Sequence, residues 1–264
     1  MANVGQRARL QALQRLVVDL GRQAFEARYP DLELTPVVAL LCAYEEEANL
    51  GDVLRRVPAT ACGLPVTPVV VVDGGADATD RVALEHGAVT FIFPVNLGHG
   101  VALRVGYDLA VSAGARYVVT LDADGQNDPA EMATMLAPLV EDSADFVVAS
   151  RRLGVDRTAD RYRQAGVVFF SWLISRLTGA RLTDSSNGYR ALRATMLSDV
   201  VGRLTQDQYQ TAELLITCLG RGWRVTERPT VWHERLSGQS KKGGNLLYGF
   251  RYAGVVLGTW RRER

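Results

Sequence analysis

Short apolar runs alternate with helical patterns along most of the chain. Aliphatic and β-branched residues form five runs, at 37–42, 69–73, 90–95, 117–121 and 146–150. Between these runs, apolar residues recur every three or four positions, as is typical of helices, near 47–56, 77–86, 100–113 and 129–141. Strands that alternate with helices predict an α/β fold, with a mostly parallel sheet covered by helices on both faces.

The pattern changes on either side of this region. At 6–28, leucines and valines at helical spacing predict an amphipathic helix that packs on the body or on a second copy of the chain. After residue 151 the pattern predicts helices near 162–178 and 209–221, a strand near 224–227, and a glycine-rich basic loop, RLSGQSKKGG. We therefore predict a helical extension at 1–34, one main domain at 35–244 and an amphipathic C-terminal tail at 245–264.

Composition limits the classes of partner and compartment. With 264 residues, 47% of them hydrophobic, the chain is long enough to bury one sizeable core. The net charge of +1 gives no general attraction to nucleic acid, so any recognition of anions must be local. Three cysteines without a CxxC pair favour a reducing compartment, the cytoplasm, and argue against a structural zinc.

No stretch of the sequence predicts a membrane-spanning helix, because no run approaches the roughly 18 apolar residues that a span requires. The segments 167–174 and 246–264 are apolar enough either to pack in the core or to lie on a membrane surface. Peripheral attachment to a membrane therefore stays open beside a purely cytoplasmic location.

Polar and glycine-rich clusters follow four of the predicted strands, at 44–47, 73–77, 96–100 and 122–124. Because the carboxyl ends of parallel strands meet at one edge of a sheet, we expect these clusters to lie together. The glycines of NLGHG allow the backbone to approach an anion at the start of a helix. Asp122 and Asp124 project to the same side of their strand, where they either hold a cation or cap the following helix.

In their order along the chain, the motifs resemble those of the large inverting family of GT-A glycosyltransferases. Within it they are most similar to the polyprenyl-phosphate sugar transferases of the dolichyl-phosphate mannose synthase type. The matching stretches, which cover roughly residues 36–242, are CAYEEEANL, VVDGGADAT, NLGHGVA, DADGQ, ASR, DSSNGYR and RLSGQSK. The resemblance implies a single Rossmann-like GT-A domain that binds a GDP- or UDP-sugar together with Mg²⁺ or Mn²⁺.

The resemblance also implies roles for individual residues. The nucleotide-binding set is Ala43, Tyr44, Glu46, Asp73, Asn96, Gly98, Gly100, Asp122 and Ala123. The residues implied to bind the sugar or the acceptor are Arg151, Asn187, Gly188, Arg190 and Ser240. The implied metal ligands are Asp122, Asp124, Gln126 and His233, whose oxygen and imidazole donors suit these cations. The implied catalytic residues are Asp124, Asp184, Glu213, Arg235 and Lys241.

Several of these residues also have a purely structural interpretation. His233, beside a tryptophan, is either a metal ligand or a packing residue, and Tyr44 either holds the base or packs. The RLSGQSK loop either closes over a diphosphate or is a solvated basic turn. As alternatives to an acceptor-side role, Asp184 caps a turn and Glu213 sits on an exposed helix face.

The sequence departs from the family pattern at Cys42 and Glu45, which replace the usual Pro and Asn, and one aspartate of the family's doublet is missing after the second strand. The nucleobase therefore stays open. The additional N-terminal helix and the absence of C-terminal membrane spans leave the acceptor open as well.

Three functions are compatible with these motifs. The first is metal-dependent transfer of a sugar to an acceptor, most simply a polyprenyl phosphate at the membrane surface, which is already anionic and needs no strong base. A hydroxyl acceptor would need a base, for which Asp184 or Glu213 are the candidates. The second is a mutase or isomerase that rearranges the nucleotide sugar without an acceptor, and the third is a protein that only binds nucleotide sugars.

Overall fold

The structure is a computed structural model that describes residues 4–158, 160–237 and 246–264. The α-helices of these ranges are α1 Val4–Arg28, α2 Leu50–Arg56, α3 Thr79–Glu85, α4 His99–Ser112, α5 Met132–Val140, α6 Arg161–Thr178, α7 Ala194–Val200, α8 Gln210–Gly220 and α9 Leu246–Glu263. Single 3-10 turns lie at Pro129–Glu131 and Val201–Arg203. The strands are β1 Val37–Ala43, β2 Thr60–Ala61, β3 Leu64–Val72, β4 Val89–Ile92, β5 Tyr117–Asp122, β6 Phe146–Asp156, β7 Arg190–Arg193 and β8 Val225–Trp232.

The strands form one mixed sheet in the order β4-β3-β1-β5-β7-β6-β8, and β2 makes a short antiparallel pair with β3. Strands β4, β3, β1 and β5 are parallel neighbours, and β6 is parallel to β8. The predicted α/β fold with a mostly parallel sheet is confirmed. Only β7 runs antiparallel to both of its neighbours, β5 and β6.

Two cores cover the two faces of this sheet, because alternate residues of a strand point to opposite sides. In β1, Val38 and Leu40 belong to the cluster that α1, α4, α7 and α8 also enter. Val37, Ala39 and Leu41 belong to the opposite cluster, with α2, α3 and α5. A central strand that is buried on both faces is therefore apolar throughout, which is why its sequence reads as a continuous run.

A third, smaller cluster joins α6, α8 and α9 through buried residues such as Ile174, Ile216 and Val256. The rings of Phe170 and Tyr252 in this cluster lie 4.5 Å apart. Trp260, which is half-buried, donates from Nε1 to the carbonyl of Leu177 at 2.8 Å. Of the two segments that could either pack in the core or lie on a membrane, 167–174 and 246–264, Phe170 and Trp260 therefore pack against the body.

Candidate active site

The four polar clusters lie at one rim of the sheet, as predicted. Strand β5 ends at Asp122, which pairs in register with Cys42 of β1, while Ala43 at the end of β1 pairs with Val72 at the end of β3. Ala43 and Ala123 are buried beneath the rim, and Tyr44 is half-buried above it. The parallel strands therefore bring residues that are 80 positions apart in sequence, Cys42 and Asp122, to one place.

Asp73, at the end of β3, fixes the NLGHG loop instead of projecting into the rim. Its Oδ1 accepts the backbone N–H of Leu97 at 2.7 Å, and its Oδ2 accepts that of Gly98 at 2.9 Å. The N–H of Gly100 donates to the carbonyl of Asp207 at 2.9 Å. The backbone donors of Leu97, Gly98 and Gly100 are therefore already used, whereas Asn96 and His99 of this loop are exposed.

The glycines of NLGHG allow a close approach to the backbone of residues 206 and 207, and not to an anion as the sequence suggested. A Cβ at Gly100 would lie 2.2 Å from the carbonyl oxygen of Gln206, and one at Gly98, where φ is +100°, would lie 3.0 Å from that of Asp207. The glycines thus let the loop pack against the chain before α8. The expectation that they expose backbone to an anion is corrected in this respect.

Burial raises the pKa of Asp73 to about 6, although its two backbone hydrogen bonds act in the opposite direction. Because this pKa is higher in the folded chain than its ordinary value of 3.8, ionising Asp73 costs more in the folded state. We therefore expect the stability of the wild type relative to Asp73→Asn to fall as pH rises from about 4 to about 6, and to level off above that. Urea unfolding across this pH range measures the difference, and a difference that stays flat would show that Asp73 titrates normally.

Asp122 and Asp124 lie at the centre of the rim. A Cβ on Gly188 would lie 3.0 and 3.1 Å from the two carboxylate oxygens of Asp122, so only glycine leaves room for that side chain. Oδ1 of Asp124 accepts the N–H of Gln126 at 3.1 Å. These hard oxygen donors fit Mg²⁺ or Mn²⁺, with further ligands supplied by a bound diphosphate.

Two hydrogen bonds join Gln126 and His233, two of the implied metal ligands. The N–H of His233 donates to the carbonyl of Gln126 at 2.9 Å, and Nε2 of Gln126 donates to the carbonyl of His233 at 3.2 Å. In the ranges that the structure describes, no three His, Cys, Asp or Glu side chains group as a metal site. The backbone of His233 thus ties the chain after β8 to the Asp124 loop, and the role of its imidazole as a third protein ligand stays a prediction.

The start of the RLSGQSK loop crosses the rim. Arg235 pairs with Glu46 and lies 3.6 Å from Asp124 Oδ2. Ser237 donates to Oδ1 of the buried Asn49 at 2.6 Å. Arg235 thus links Glu46, of the implied nucleotide-binding set, with Asp124, an implied metal ligand. Ser240 and Lys241, the other site residues predicted in this loop, lie outside the described residues.

Asp184 is the partner of Arg151 in a buried ion pair. Arg151 Nε and Nη2 donate to the two carboxylate oxygens at 2.6 and 2.7 Å, and the two side chains are 4% and 0% exposed. Glu227 of β8 accepts the N–H groups of Thr183 and Asp184, both at 2.8–2.9 Å, and holds this loop in place. Asp184 is therefore a positioning residue for Arg151 in this structure, and the expectation that it serves as a free base is corrected.

Glu213 and Arg190 are also structural in this arrangement. The carboxylate of Glu213, 0% exposed, accepts the N–H groups of Thr205 and Gln206 and pairs with Arg262 of α9 at 3.0 Å. This burial contradicts its alternative place on an exposed helix face, and the ion pair with Arg262 engages the carboxylate that the predicted catalytic role would use. Arg190, 1% exposed, donates to the carbonyls of Ser185, Asn187 and Thr211 rather than facing an acceptor. Asn187, 1% exposed, accepts the N–H of Tyr189 at 3.0 Å.

Arg163 is a site residue that the sequence motifs did not indicate. It lies in the first turn of α6, and its guanidinium stacks over Trp232 at 4.9 Å, as that of Arg151 also does. Burial and the nearby charge of Arg151 lower the pKa of Arg163, whereas Asp122, Asp156 and Asp124 act in the opposite direction. Arg163 is therefore within electrostatic range of both rim carboxylates. No motif marks it, because its position depends on how α6 packs against the end of β8.

The sequence matches the protein family described as "Glycosyl transferase family 2" over residues 39–201, which is more than half of the chain. The dolichyl-phosphate hexose transferase of Haloferax volcanii is 34% identical over 78% of this chain and 86% of that protein. The polyprenol monophosphomannose synthase of Mycolicibacterium smegmatis is 27% identical over 80% of this chain and 82% of that protein.

Among solved structures, the chain is similar to glucosyl-3-phosphoglycerate synthase from Mycobacterium tuberculosis in complex with Mn²⁺, UDP and glucosyl-3-phosphoglycerate. The TM-score is 0.67 at 18% identity, and the similarity covers 90% of this chain and 82% of that one. At this identity the likeness shows the GT-A fold. With the family match and the 34% identical relative, it follows that the chain belongs to glycosyl transferase family 2 and is a nucleotide-sugar glycosyltransferase.

Proposed function

We propose that the chain transfers a sugar from a GDP- or UDP-sugar to a polyprenyl phosphate at a membrane surface, with Mg²⁺ or Mn²⁺ bound at Asp122 and Asp124. The observation that carries this proposal is the pairing of arginines with carboxylates around the rim. Arg235 lies 3.6 Å from Asp124, Arg151 is paired with Asp184, and Arg163 stacks beside Arg151 on Trp232. This arrangement fits two phosphate groups, one leaving and one attacking, better than a neutral acceptor.

The buried carboxylates support an acceptor that is already ionised. Asp184 is held by Arg151, and Glu213 by Arg262 and two backbone N–H groups, so each is engaged away from an acceptor. A hydroxyl acceptor requires a base within hydrogen-bond reach of its proton, whereas a phosphate monoester is anionic at neutral pH. Because Asp184 and Glu213, the two candidate bases, are both engaged in ion pairs, a phosphate acceptor is favoured over a hydroxyl acceptor.

In the proposed reaction, the bond between the sugar's anomeric carbon and the donor phosphate breaks, and its electron pair stays on the nucleoside diphosphate. An oxygen of the acceptor phosphate forms the new bond to the anomeric carbon. The metal supplies charge neutralisation for the leaving diphosphate. Arg235 would exchange its contacts with Glu46 and Asp124 for the diphosphate, and Arg163 would hold the acceptor phosphate beside the Arg151–Asp184 pair.

The comparisons support parts of this proposal. The relatives named above act on dolichyl phosphate and polyprenol phosphate by their names, and the solved neighbour binds UDP with Mn²⁺. The nucleobase and the sugar are not fixed by these matches. A donor panel is therefore part of the test.

The test is a product analysis with purified chain, Mn²⁺, a panel of GDP- and UDP-sugars, and farnesyl phosphate or farnesol as short acceptors. We expect a glycosylated farnesyl phosphate and an equimolar nucleoside diphosphate, with no product from farnesol. A product from farnesol alone would replace the phosphate acceptor by a hydroxyl acceptor. An isomer of equal mass from the donor alone would replace transfer by rearrangement.

The outer face of α6 offers a surface for the lipid. Phe169 and Trp172 are 52% and 59% exposed, and Phe250 at the start of α9 is 75% exposed. Arg163 and Trp172 belong to the same helix and are about 14 Å apart along its axis, so one element reaches both the site and this face. No helix among the described residues is long and apolar enough to cross a bilayer. We propose a cytoplasmic protein that lies peripherally on the membrane through this face.

Vesicle binding tests the surface. We expect Phe169→Ser together with Trp172→Ser to weaken binding to anionic phosphatidylglycerol vesicles about tenfold or more, because half-exposed aromatic rings lose their burial in lipid. Leu84→Ser, which alters a 38% exposed leucine of α3, serves as the matched control and should have no effect. Added salt should also weaken binding, since Arg261 in the last turn of α9 and Arg264 just after the helix are exposed. Co-sedimentation measures it, and equal binding by all three proteins would remove the face from the proposal.

A further inference from the structure

Helix α1 is held to the body along one face and presents a second apolar face to solvent. On the first face Phe25 is buried against Phe91, with ring centroids 5.6 Å apart, and Arg22 pairs with Asp108 at 2.5 Å. The second face, which we call the leucine stripe, consists of residues that are 51–59% exposed, Leu10, Leu13, Leu16 and Leu20. An apolar row of this length on a water-exposed helix is the usual mark of an interaction surface.

The spacing of the stripe points to another helix as the partner. Its members Leu10, Leu13, Leu16 and Leu20 follow one another at intervals of three, three and four. These spacings place the four leucines in one row along the helix, and helices pack side by side through such rows. We propose that α1 pairs in antiparallel orientation with α1 of a second copy of this chain, through the leucine stripe.

The position of α1 favours a second copy over a membrane. Helix α1 contacts β4, which is the strand at one edge of the sheet. The aromatic face of α6 lies by β6 and β8 at the other edge, since Arg163 of α6 stacks on Trp232 of β8. A single membrane plane that receives α6 is therefore remote from α1. The stripe itself also contains no aromatic residue, unlike helices that lie in a bilayer interface.

Charge and packing favour the antiparallel orientation. The first half of α1 carries Arg9 and Arg15 and no acidic residue, so parallel pairing would place two basic halves together. Antiparallel pairing about residue 15 opposes Leu10 to Leu20 and places Arg9 opposite Gly21, in the second half of the partner helix. In an antiparallel pair the two helix dipoles also run in opposite directions, which is the favourable arrangement. The bodies of the two copies are kept apart, because each body is attached to the second half of its own α1.

Sedimentation equilibrium on the full chain tests the association. We expect a concentration-dependent dimer whose dissociation constant rises at least about tenfold in Leu13→Glu combined with Leu16→Glu, because charges then enter the paired face. Leu84→Glu, which places the same charge on another exposed leucine, should leave the dimer unchanged. Circular dichroism checks that the variants stay folded. A wild type that is monomeric throughout, or equal effects of both changes, would overturn the proposal.

Disulfide cross-linking tests the orientation. In a background where the exposed Cys62 is replaced by serine, Leu16→Cys should cross-link with itself under mild oxidation. Leu10→Cys and Leu20→Cys should each remain uncross-linked alone and cross-link when mixed. Self-cross-linking of Leu10→Cys would show a parallel pair and overturn the antiparallel assignment. Vesicle binding that is lost with the stripe in a monomeric protein would assign the surface to lipid instead.

Discussion

Asp122→Asn and Asp124→Asn should each lower turnover by a factor on the order of 10³ while leaving the fold intact. Asparagine keeps the shape that fits beside Gly188, and its amide oxygen retains the acceptor for the N–H of Gln126. What it loses is the negative charge that would hold a divalent cation against the leaving diphosphate. Because both side chains project from the end of a strand rather than into the core, we expect a change in unfolding free energy within about 0.5 kcal/mol.

The control for this pair is Asp128→Asn, the same substitution at a position four residues after Asp124. Asp128 caps the following 3-10 turn and pairs with Arg56 at 2.8 Å, outside the rim. Its replacement should leave turnover within a few-fold of normal, apart from a small loss of stability. Steady-state kinetics over a Mn²⁺ titration, with calorimetry on each variant, provides the measurement. Near-normal turnover of either rim variant with an unchanged metal requirement would show that the aspartates are not the metal ligands.

Asp184→Asn should reduce the free energy of unfolding by about 3–5 kcal/mol, because it leaves the guanidinium of Arg151 buried without its counter-charge. Burial acts to lower the pKa of Arg151, but the hydrogen bonds to Asp184 and the charges of Asp184, Asp156 and Asp122 together raise that pKa. The arginine stays charged when its partner is neutralised, because a guanidinium is not deprotonated in proteins. It must either remain desolvated and unpaired or leave its place against Trp232.

The matched control is Asp199→Asn, which breaks an exposed two-bond pair with Arg221. Exposed ion pairs contribute about 1 kcal/mol at most, so this loss should be several times smaller. Urea unfolding of the two variants at pH 7 gives the comparison. If Asp184 acted as a base with no structural role, its replacement would instead lower turnover at nearly unchanged stability, and the assignment as a positioning residue would fail.

The parallel half of the sheet could be predicted because its strands are buried on both faces and therefore read as unbroken apolar runs. Strand β7 could not, since RALR contains two arginines and is only four residues long. Its Arg190 is accommodated in the core by three backbone carbonyls, two of them three and five residues earlier in the chain and one 21 residues later. Nothing local in the sequence announces such compensation.

The site shows the same limit. Motifs located the rim carboxylates, but they could not tell which carboxylates were already paired. Asp184 lies 33 residues from Arg151, and Glu213 lies 49 residues from Arg262, so their partners appear only once the elements are packed. The same reason hides Arg163, whose place beside the aspartates depends on the stacking of α6 on Trp232.

The stretch from Glu227 to Arg235 has a consequence for how such an enzyme diversifies. Within nine positions it braces the loop of Asp184, supports two arginines on Trp232, ties down the Asp124 loop through His233 and places Arg235 on Glu46. A one-residue insertion just after Glu227 would reverse the facing of every later side chain in the strand and disturb the other three contacts at once. Changes on the exposed face of α6, around Phe169 and Trp172, would by contrast leave all four contacts in place.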